Sequence, residues 1–178
     1  MFQIKDYLRE KANAGELTWT VLATGAFMQL LLAIPMLLDF PNHKAALFDG
    51  GDNRISSTSL PNVGKAIAGI LKNFEATKNK VMKISEVIVT QNQLLSIARE
   101  VRPDFKWEIS HIKANDVLQE GLDGVRAGDF TQLLKIIKGT AGAGDIYGAA
   151  YDDTDNELLG VPTLTAESLK SIVAEKLA

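Results

Sequence analysis

The sequence predicts an α/β fold, and its first forty or so residues carry most of that prediction. Residues 2–14 have the mixed charge and spaced apolar positions of a helix, which Gly15 is suited to end. Residues 17–24 are rich in Thr, Trp and Val and are apolar on both faces, as in a parallel strand packed between helices. Residues 26–34 then predict a buried helix that ends near Pro35. Helix, strand and helix in this order favour α/β architecture.

The middle of the chain predicts a hairpin followed by a helix. Residues 44–48 and 54–58 are short strand candidates, and Asp-Gly-Gly-Asp-Asn between them has the composition of a hairpin turn. Ser59 is placed to cap a helix over 60–72. The expected apolar stripe of that helix consists of Val63, Ala66, Ile67, Ile70 and Leu71.

The rest of the chain continues to alternate. Residues 79–89 predict one strand, Thr90 caps a helix that runs to about Val101, and residues 106–112 predict another strand. Asn115 or Asp116 is expected to cap a helix ending near Gly128, and residues 130–138 predict a further helix. Residues 139–160 lack periodicity and predict a long functional or mobile loop. Thr165 is expected to cap a final helix over 166–177.

The uncharged run from residue 17 to residue 38 is long enough to span a bilayer. It contains several Thr residues together with Gly25, Gln29 and Pro35, and acids rather than Lys or Arg flank it, at Glu16 and Asp39. These details favour a buried strand and helix, so we expect no membrane partner.

Composition excludes several classes of function. The net charge is −3, from 19 basic and 22 acidic residues, which leaves no excess of positive charge for nucleic acid. Cysteine is absent, which excludes disulfides and thiol chemistry and suits a reducing, cytoplasmic compartment. His43 and His111 are far apart in sequence, and both are expected to be structural or solvated. No metal site is predicted.

Two further segments resemble ligand-binding motifs. Residues 139–144 read Gly-Thr-Ala-Gly-Ala-Gly, but a phosphate-binding loop requires a strand before it and a helix after it, and this order is not predicted here. A flexible loop is the preferred interpretation. Asp152, Asp153 and Asp155 form an acidic cluster without the Gly and distant Glu of a calcium loop, so a solvated loop is expected.

A set of motifs in a particular order resembles the NmrA-like and isoflavone-reductase-like branch of the atypical short-chain dehydrogenases. Thr20 follows Lys5 by 15 residues and closes Leu-Thr-Trp-Thr, as a threonine closes a similar motif after the family's helix lysine. Gly25-Ala-Phe27 then corresponds to the family's Gly-x-Phe element. Thr-Gln-Asn-Gln at 90–93 and Leu-Thr-Trp-Thr look most like fungal members. The resemblance covers nearly the whole chain and depends on order and spacing rather than on one motif.

The resemblance implies an NADPH-dependent oxidoreductase acting on a small aromatic or polyketide secondary metabolite. It assigns Lys5 to proton transfer beside the nicotinamide, and it places Gly25 and Phe27 beside the cofactor and the substrate. It also implies that residues 1–40 are a remnant of a Rossmann-type domain and that residues 41–178 form the C-terminal substrate-binding region.

The family's strand–glycine-loop–helix unit, which binds the dinucleotide, has no counterpart in these residues. We therefore expect the dinucleotide-binding half to be missing. The chain by itself is then expected neither to bind NADP(H) nor to turn over substrate, and it is expected to need a complementary N-terminal half or to self-associate. The alternative is a non-catalytic NmrA-type module that senses dinucleotides or binds proteins.

Overall fold

The computed structural model describes the backbone of residues 2–178 and the side chains of residues 4–178, and it confirms an α/β fold. The helices are α1 Phe2–Asn13, α2 Met28–Ala33, α3 Leu60–Lys72, α4 Phe74–Thr77, α5 Gln91–Val101, α6 Ala114–Arg126, α7 Leu133–Gly142, α8 Asn156–Leu159 and α9 Ala166–Lys176. The strands are β1 Thr20–Ala23, β2 Ala26–Phe27, β3 Lys44–Phe48, β4 Ile55–Thr58, β5 Lys80–Lys83, β6 Val87–Val89 and β7 Glu108–Ile112. Short 3₁₀ turns lie at Phe130–Gln132 and Gly144–Tyr147.

Parallel pairing dominates the strands, as the alternation of helices and strands predicts. β1 pairs with β5, β2 with β4, and β3 with β7, each in parallel. β6 joins the other side of β4 in antiparallel orientation. Each parallel pair is separated in the chain by at least one helix, which is the connection that parallel strands require.

The predicted hairpin is wrong, although both of its strands exist. β3 and β4 are not neighbours, because β3 pairs with β7 and β4 lies between β2 and β6. The intervening turn is made as its composition suggests: Gly51 N–H donates to the Phe48 carbonyl over 2.8 Å. Asn92, at the start of α5, fastens that turn by donating to the Gly50 carbonyl and to Asp52. The turn therefore redirects the chain toward α5 instead of folding it back on itself.

Two other expectations about the bounds of elements need correction. The single strand over residues 79–89 is two strands, β5 and β6, because the chain bends at Ser85, whose N–H donates to Asn156. Helix α6 begins after Lys113 rather than at Asn115 or Asp116, and the distant Asp49 carboxylate accepts from the Ala114 N–H. A carboxylate from another element thus supplies the acceptor that this helix start needs.

The segment 139–160 is not a long loop. Residues 139–142 form the end of α7, and residues 144–147 and 156–159 are helical turns. An added Cβ at Gly139 would lie 2.6 Å from the Leu118 N of α6, and one at Gly142 would lie 2.5 Å from the Phe48 ring. These glycines let α7 approach α6 and β3 closely, so their role is packing and the flexible-loop interpretation is wrong.

The apolar stripe of α3 is only partly buried. Ala66 is fully buried and Val63 and Ile70 are half-buried, but Ile67 is 50% exposed and Leu71 is 72% exposed. The buried positions of this helix also include Asn62 and Gly69, which periodicity of apolar residues does not identify. By contrast, the caps at Thr90 and Thr165 are confirmed, since each hydroxyl accepts from the N–H three residues later.

The largest apolar core joins α2 and the segment after it to β3, α5 and α9. Its most deeply buried members include Leu31, Leu38, Leu94, Leu169 and Val173. The core therefore draws on residues on both sides of the predicted domain boundary near residue 40, and that boundary stays a prediction.

The uncharged run divides into β1, β2 and α2, in broad agreement with the expected strand and helix. Among residues 2–178, no helix has the length and apolar character needed to cross a bilayer.

The side-chain amide of Gln91 is buried beside this core and makes three hydrogen bonds to backbone groups. Its Oε1 accepts from the Phe48 N–H over 2.7 Å, and its Nε2 donates to the carbonyls of Leu37 and Ala46 over 2.7 and 2.8 Å. The side chain is 3% exposed. It therefore ties the start of α5 to β3 and to the segment that follows α2.

Replacing Gln91 by Leu keeps the volume but removes all three hydrogen bonds. We expect the free energy of unfolding to fall by at least about 2 kcal/mol, because buried backbone groups lose their partners. Gln93→Leu, on the exposed face of the same helix, is the control and should change stability by less than about 0.5 kcal/mol. Urea unfolding measures both, and equal effects would contradict the role given to the Gln91 amide.

Gly139→Ala and Gly64→Ala make the same change in the interiors of two helices. At Gly139 the new methyl group meets the Leu118 backbone, so we expect a loss of about 1–3 kcal/mol. At Gly64 an added Cβ has no neighbour within 4 Å, so higher helix propensity should stabilise the protein by about 0.5–1 kcal/mol. Urea unfolding should show a lower free energy of unfolding for Gly139→Ala and a higher one for Gly64→Ala. Stabilisation by both changes would show that α6 and α7 are not closely packed.

Candidate active-site cavity

Gly25 and Phe27 lie together at one edge of the fold, where β1 passes into β2. Gly25 has a positive φ of 63°, and an added Cβ there would lie 2.7 Å from the carbonyl carbon of Ser56. Glycine is therefore required both for the backbone conformation and for the close approach of β2 to β4. This local geometry presents Phe27 at the surface, with 39% of its area exposed.

A cavity of about 190 Å³ opens beside these residues. Its lining is almost entirely apolar and comes from the start of β2, from α2, from the segment after α2 and from α7: Gly25, Ala26, Phe27, Leu30, Leu31, Met36, Ile137 and Ala141. The structure thus brings together Gly25 and Phe27, and it adds a wall from α7 that the sequence patterns did not connect with them. We call it the Gly25–Phe27 cavity.

Lys5 lies on α1 and is partly exposed. Among the described side chains it does not line the Gly25–Phe27 cavity, and it forms no hydrogen bond or ion pair. No described side chain of α1 belongs to a core cluster either. The described contacts therefore do not bring Lys5 to Gly25 and Phe27, and its role stays a prediction.

Strand β4, which pairs with β2 of the cavity wall, carries buried polar side chains. The Ser56, Ser57 and Thr58 residues of β4 have no measurable exposure. The Ser57 hydroxyl donates to the Ala26 carbonyl over 3.1 Å, and the Thr58 hydroxyl donates to the Ile84 carbonyl over 3.3 Å. These bonds satisfy polar groups that burial would otherwise penalise and fix the backbone on which Gly25 rests. The Ser-Ser-Thr triplet was a signal for this support, but the strand prediction did not use it.

Glu86 is a buried carboxylate that sequence reasoning missed. It is 5% exposed and accepts from the Ser59 N–H and from the Asn62 amide at the start of α3. A carboxylate is favourable at the positive end of a helix, which explains why a charged group is tolerated there. Ser59 is the N-cap residue of α3 as predicted, but its side chain makes no capping hydrogen bond.

A second cavity, of about 330 Å³, lies between the β3–β7 pair and the α6–α7 hairpin. One side is apolar, and charged side chains stand on the other, among them Asp39, Glu120, Lys135 and Lys138. Lys135 is paired with Glu120, and Asp39 accepts from the Asn42 amide over 3.0 Å. Burial lowers the pKa of Lys138, and the nearby Asp39 charge opposes that shift. We call this site the Lys138 cavity.

The remaining candidate residues have structural roles. His43 stacks on Phe105 with ring centroids 4.0 Å apart, so it is not simply solvated, whereas His111 is exposed on β7. Asp152 pairs with Arg54, which lowers the pKa of Asp152. Asp155 accepts from the Lys83 N–H over 2.7 Å. Within the described side chains, no group of three acidic or His residues is arranged to hold a metal ion.

Sequence comparison relates the chain to fungal oxidoreductases. No family model matches the sequence. The oxidoreductase aprR of Aspergillus flavus is 25% identical over 170 residues, which are 94% of this chain and 56% of that protein. The oxidoreductase poxI of Penicillium oxalicum is 25% identical over 148 residues, which are 80% of this chain and 45% of that protein. The chain thus spans about half the length of the curated relatives it matches.

Several solved structures share the fold, among them two reductases and a nucleoside-diphosphate-sugar epimerase of Staphylococcus aureus, which matches with a TM-score of 0.60 at 18% identity over 95% of this chain and 56% of that one. An isoflavone reductase matches with a TM-score of 0.68 at 18% identity, over 98% of this chain and 57% of that one. The NADPH-dependent quinone oxidoreductase QOR2 of Escherichia coli matches with a TM-score of 0.66 at 18% identity, over 95% of this chain and 59% of that one. A complex of QOR2 with NADPH matches over the same share of this chain.

The fold is therefore one that the chain shares with an isoflavone reductase and a quinone oxidoreductase, over little more than half of each. The fungal relatives agree with the motifs that first indicated this resemblance, and the resemblance is confirmed. Coverage of little more than half of each reductase agrees with the prediction that the chain corresponds to their C-terminal portion.

The flat ring and the pyrophosphate of a nicotinamide dinucleotide place different demands on the described residues. The Gly25–Phe27 cavity is apolar and of a size that accepts a flat ring. The glycines at 139–144 do not form a phosphate cradle, because Gly139 and Gly142 are packed against Leu118 and Phe48. A pyrophosphate needs free backbone N–H groups at the start of a helix.

Gly25→Ala is expected to destabilise the protein more than Gly15→Ala. Both glycines have positive φ, so each substitution introduces backbone strain of about 1 kcal/mol. Only at Gly25 does the methyl group also meet the Ser56 backbone, which should add about 1–3 kcal/mol. The free energies of unfolding of the two variants are measured in urea, and the difference between them gives the cost of the contact with Ser56. Equal losses would show that β2 does not depend on close approach to β4.

Proposed function

We propose that this chain forms the substrate-binding side of an NADPH-dependent oxidoreductase that acts on a small aromatic or polyketide-like metabolite. The observation that supports the proposal is the apolar Gly25–Phe27 cavity in a fold shared with NADPH-dependent reductases. The fungal relatives are oxidoreductases, which agrees with this class of reaction. We expect the protein to act in the cytoplasm.

The residues of the cavity have distinct tasks in this proposal. Gly25 lets β2 lie close against Ser56 of β4 and so fixes the edge of the cavity, and Phe27 covers a planar ring with an aromatic face. Leu30, Met36 and Ile137 exclude water from the reacting atoms. NADPH, when bound, supplies the hydride. Lys5 donates a proton to the substrate oxygen as the carbonyl is reduced, as the sequence resemblance implies.

The proposal includes a complementary half that holds the pyrophosphate. Within the described residues β1 pairs with β5 alone, so its other edge is available to a further parallel strand. An unpaired strand edge favours association with another segment. A strand–glycine-loop–helix segment that pairs with β1 would place its phosphate-binding loop at the carboxyl ends of the strands, where such sheets bind nucleotides.

Measurements of NADPH binding and turnover test this proposal. The chain alone should show no NADPH affinity by fluorescence titration. A longer polypeptide, in which a strand–glycine-loop–helix segment precedes the chain, should bind NADPH and reduce an aromatic quinone. Micromolar affinity of the chain alone would show that the cofactor site is misplaced. NADPH binding by the longer polypeptide without turnover of any quinone or aromatic ketone would favour the non-catalytic sensing module instead.

Lys5→Met in the same longer polypeptide tests the proton donor. We expect kcat to fall by about 100-fold or more, because a general acid contributes about that much to the rate, while the Kd for NADPH changes little. Lys11→Met makes the same change at a lysine of α1 that pairs with Glu16 and does not line the cavity, and it should leave kcat unaltered. Unchanged turnover in Lys5→Met would exclude Lys5 from catalysis and leave the assignment of the cavity standing.

A further inference from the structure

The Lys138 cavity is large enough to bind a small molecule. Its volume of about 330 Å³ falls within the range of ligand pockets, which begins near 300 Å³. Its walls come from the segment after α2, from β3, from the end of β7 and from both helices of the α6–α7 hairpin. Met36 lines this cavity as well as the Gly25–Phe27 cavity, so the two are neighbours.

The charged groups around the cavity differ in how they are engaged. Lys135 is paired with Glu120, and Lys44 is paired with Glu108 over 3.0 Å. Lys138 is half-buried, and among the described side chains it has no carboxylate within the 4.0 Å of an ion pair. A partly desolvated ammonium without a close partner is a favourable site for an incoming anion.

The other residues of the cavity favour an anion that carries one negative charge and an apolar ring or chain. Phe48, Ile112, Val117 and Met36 form an apolar wall that suits a hydrocarbon or aromatic ring. Asp39 and Glu120 stand on the same cavity, and their charges would repel a phosphate dianion more strongly than a carboxylate. Among the described side chains of this cavity, Lys138 is the ammonium without an ion-pair partner, and it matches one carboxylate.

We propose that the Lys138 cavity is a second binding site, which takes an amphipathic monoanion with its carboxylate on Lys138 and its apolar body against Phe48, Ile112 and Val117. The site lies across Met36 from the proposed reaction cavity. It requires neither NADPH nor turnover, so it can be tested even if the proposed oxidoreductase function fails.

Calorimetric titration of the unmodified chain with naphthoate, and with naphthamide as its uncharged counterpart, tests the proposal. We expect naphthoate to bind at least about tenfold more tightly than naphthamide, which is the effect of one charge-assisted hydrogen bond. Lys138→Met should remove that difference and leave naphthamide binding unchanged. Lys106→Met, an exposed lysine outside the cavity, is the matched control and should preserve the difference.

Val117→Phe provides a second, independent variant, because it fills the apolar wall without changing charge. It should weaken the binding of both naphthoate and naphthamide. Circular dichroism checks that the fold is retained. Equal affinities for naphthoate and naphthamide, absence of binding by either, or an unaltered preference in Lys138→Met would each overturn the proposal.

Discussion

The wall of the Lys138 cavity depends on the buried carboxamide of Gln91. Its three hydrogen bonds join α5 to β3 and to the chain that leaves α2. Leu37, Ala46 and Phe48, whose backbone groups it binds, all line the Lys138 cavity. A buried amide that satisfies several backbone groups holds them in one geometry, because any displacement leaves polar groups unpaired in a medium of low dielectric. This side chain therefore sets where the cavity wall lies.

Close approach of α7 to its neighbours is the second condition for the site. Gly139 and Gly142 bring α7 against α6 and β3, and α7 then separates the two cavities. Ile137 faces one cavity and Lys138 the other, so a single helix supplies the apolar wall of the proposed reaction site and the cation of the second site. Met36 lines both cavities, so the two sites share one side chain as a wall.

Local signals in the sequence predicted local structure well. The caps at Thr90 and Thr165, the bounds of α3 and the turn at 49–53 all depend on residues a few positions apart, and all occur as expected. The hairpin prediction failed because pairing is not a local property. The turn after Phe48 is satisfied by Asn92 of α5, so its composition does not show which strand β3 will join. The loop prediction for residues 139–144 failed for a similar reason, because the residues on which Gly139 and Gly142 pack are distant in the chain.

The sequence by itself determined the α/β class, the bounds of α3, the caps of α5 and α9, and the resemblance that leads to Gly25 and Phe27. Periodicity, caps and ordered motifs all depend on neighbouring residues. Only the tertiary structure decided what surrounds Gly25 and Phe27. It brought α7 to the Gly25–Phe27 cavity and buried Glu86 at the start of α3. Among the side chains that the structure describes, it also left Lys138 without a carboxylate at ion-pair distance. Such features arise from contacts between residues far apart in the chain, where burial and desolvation, rather than composition, determine which group becomes functional.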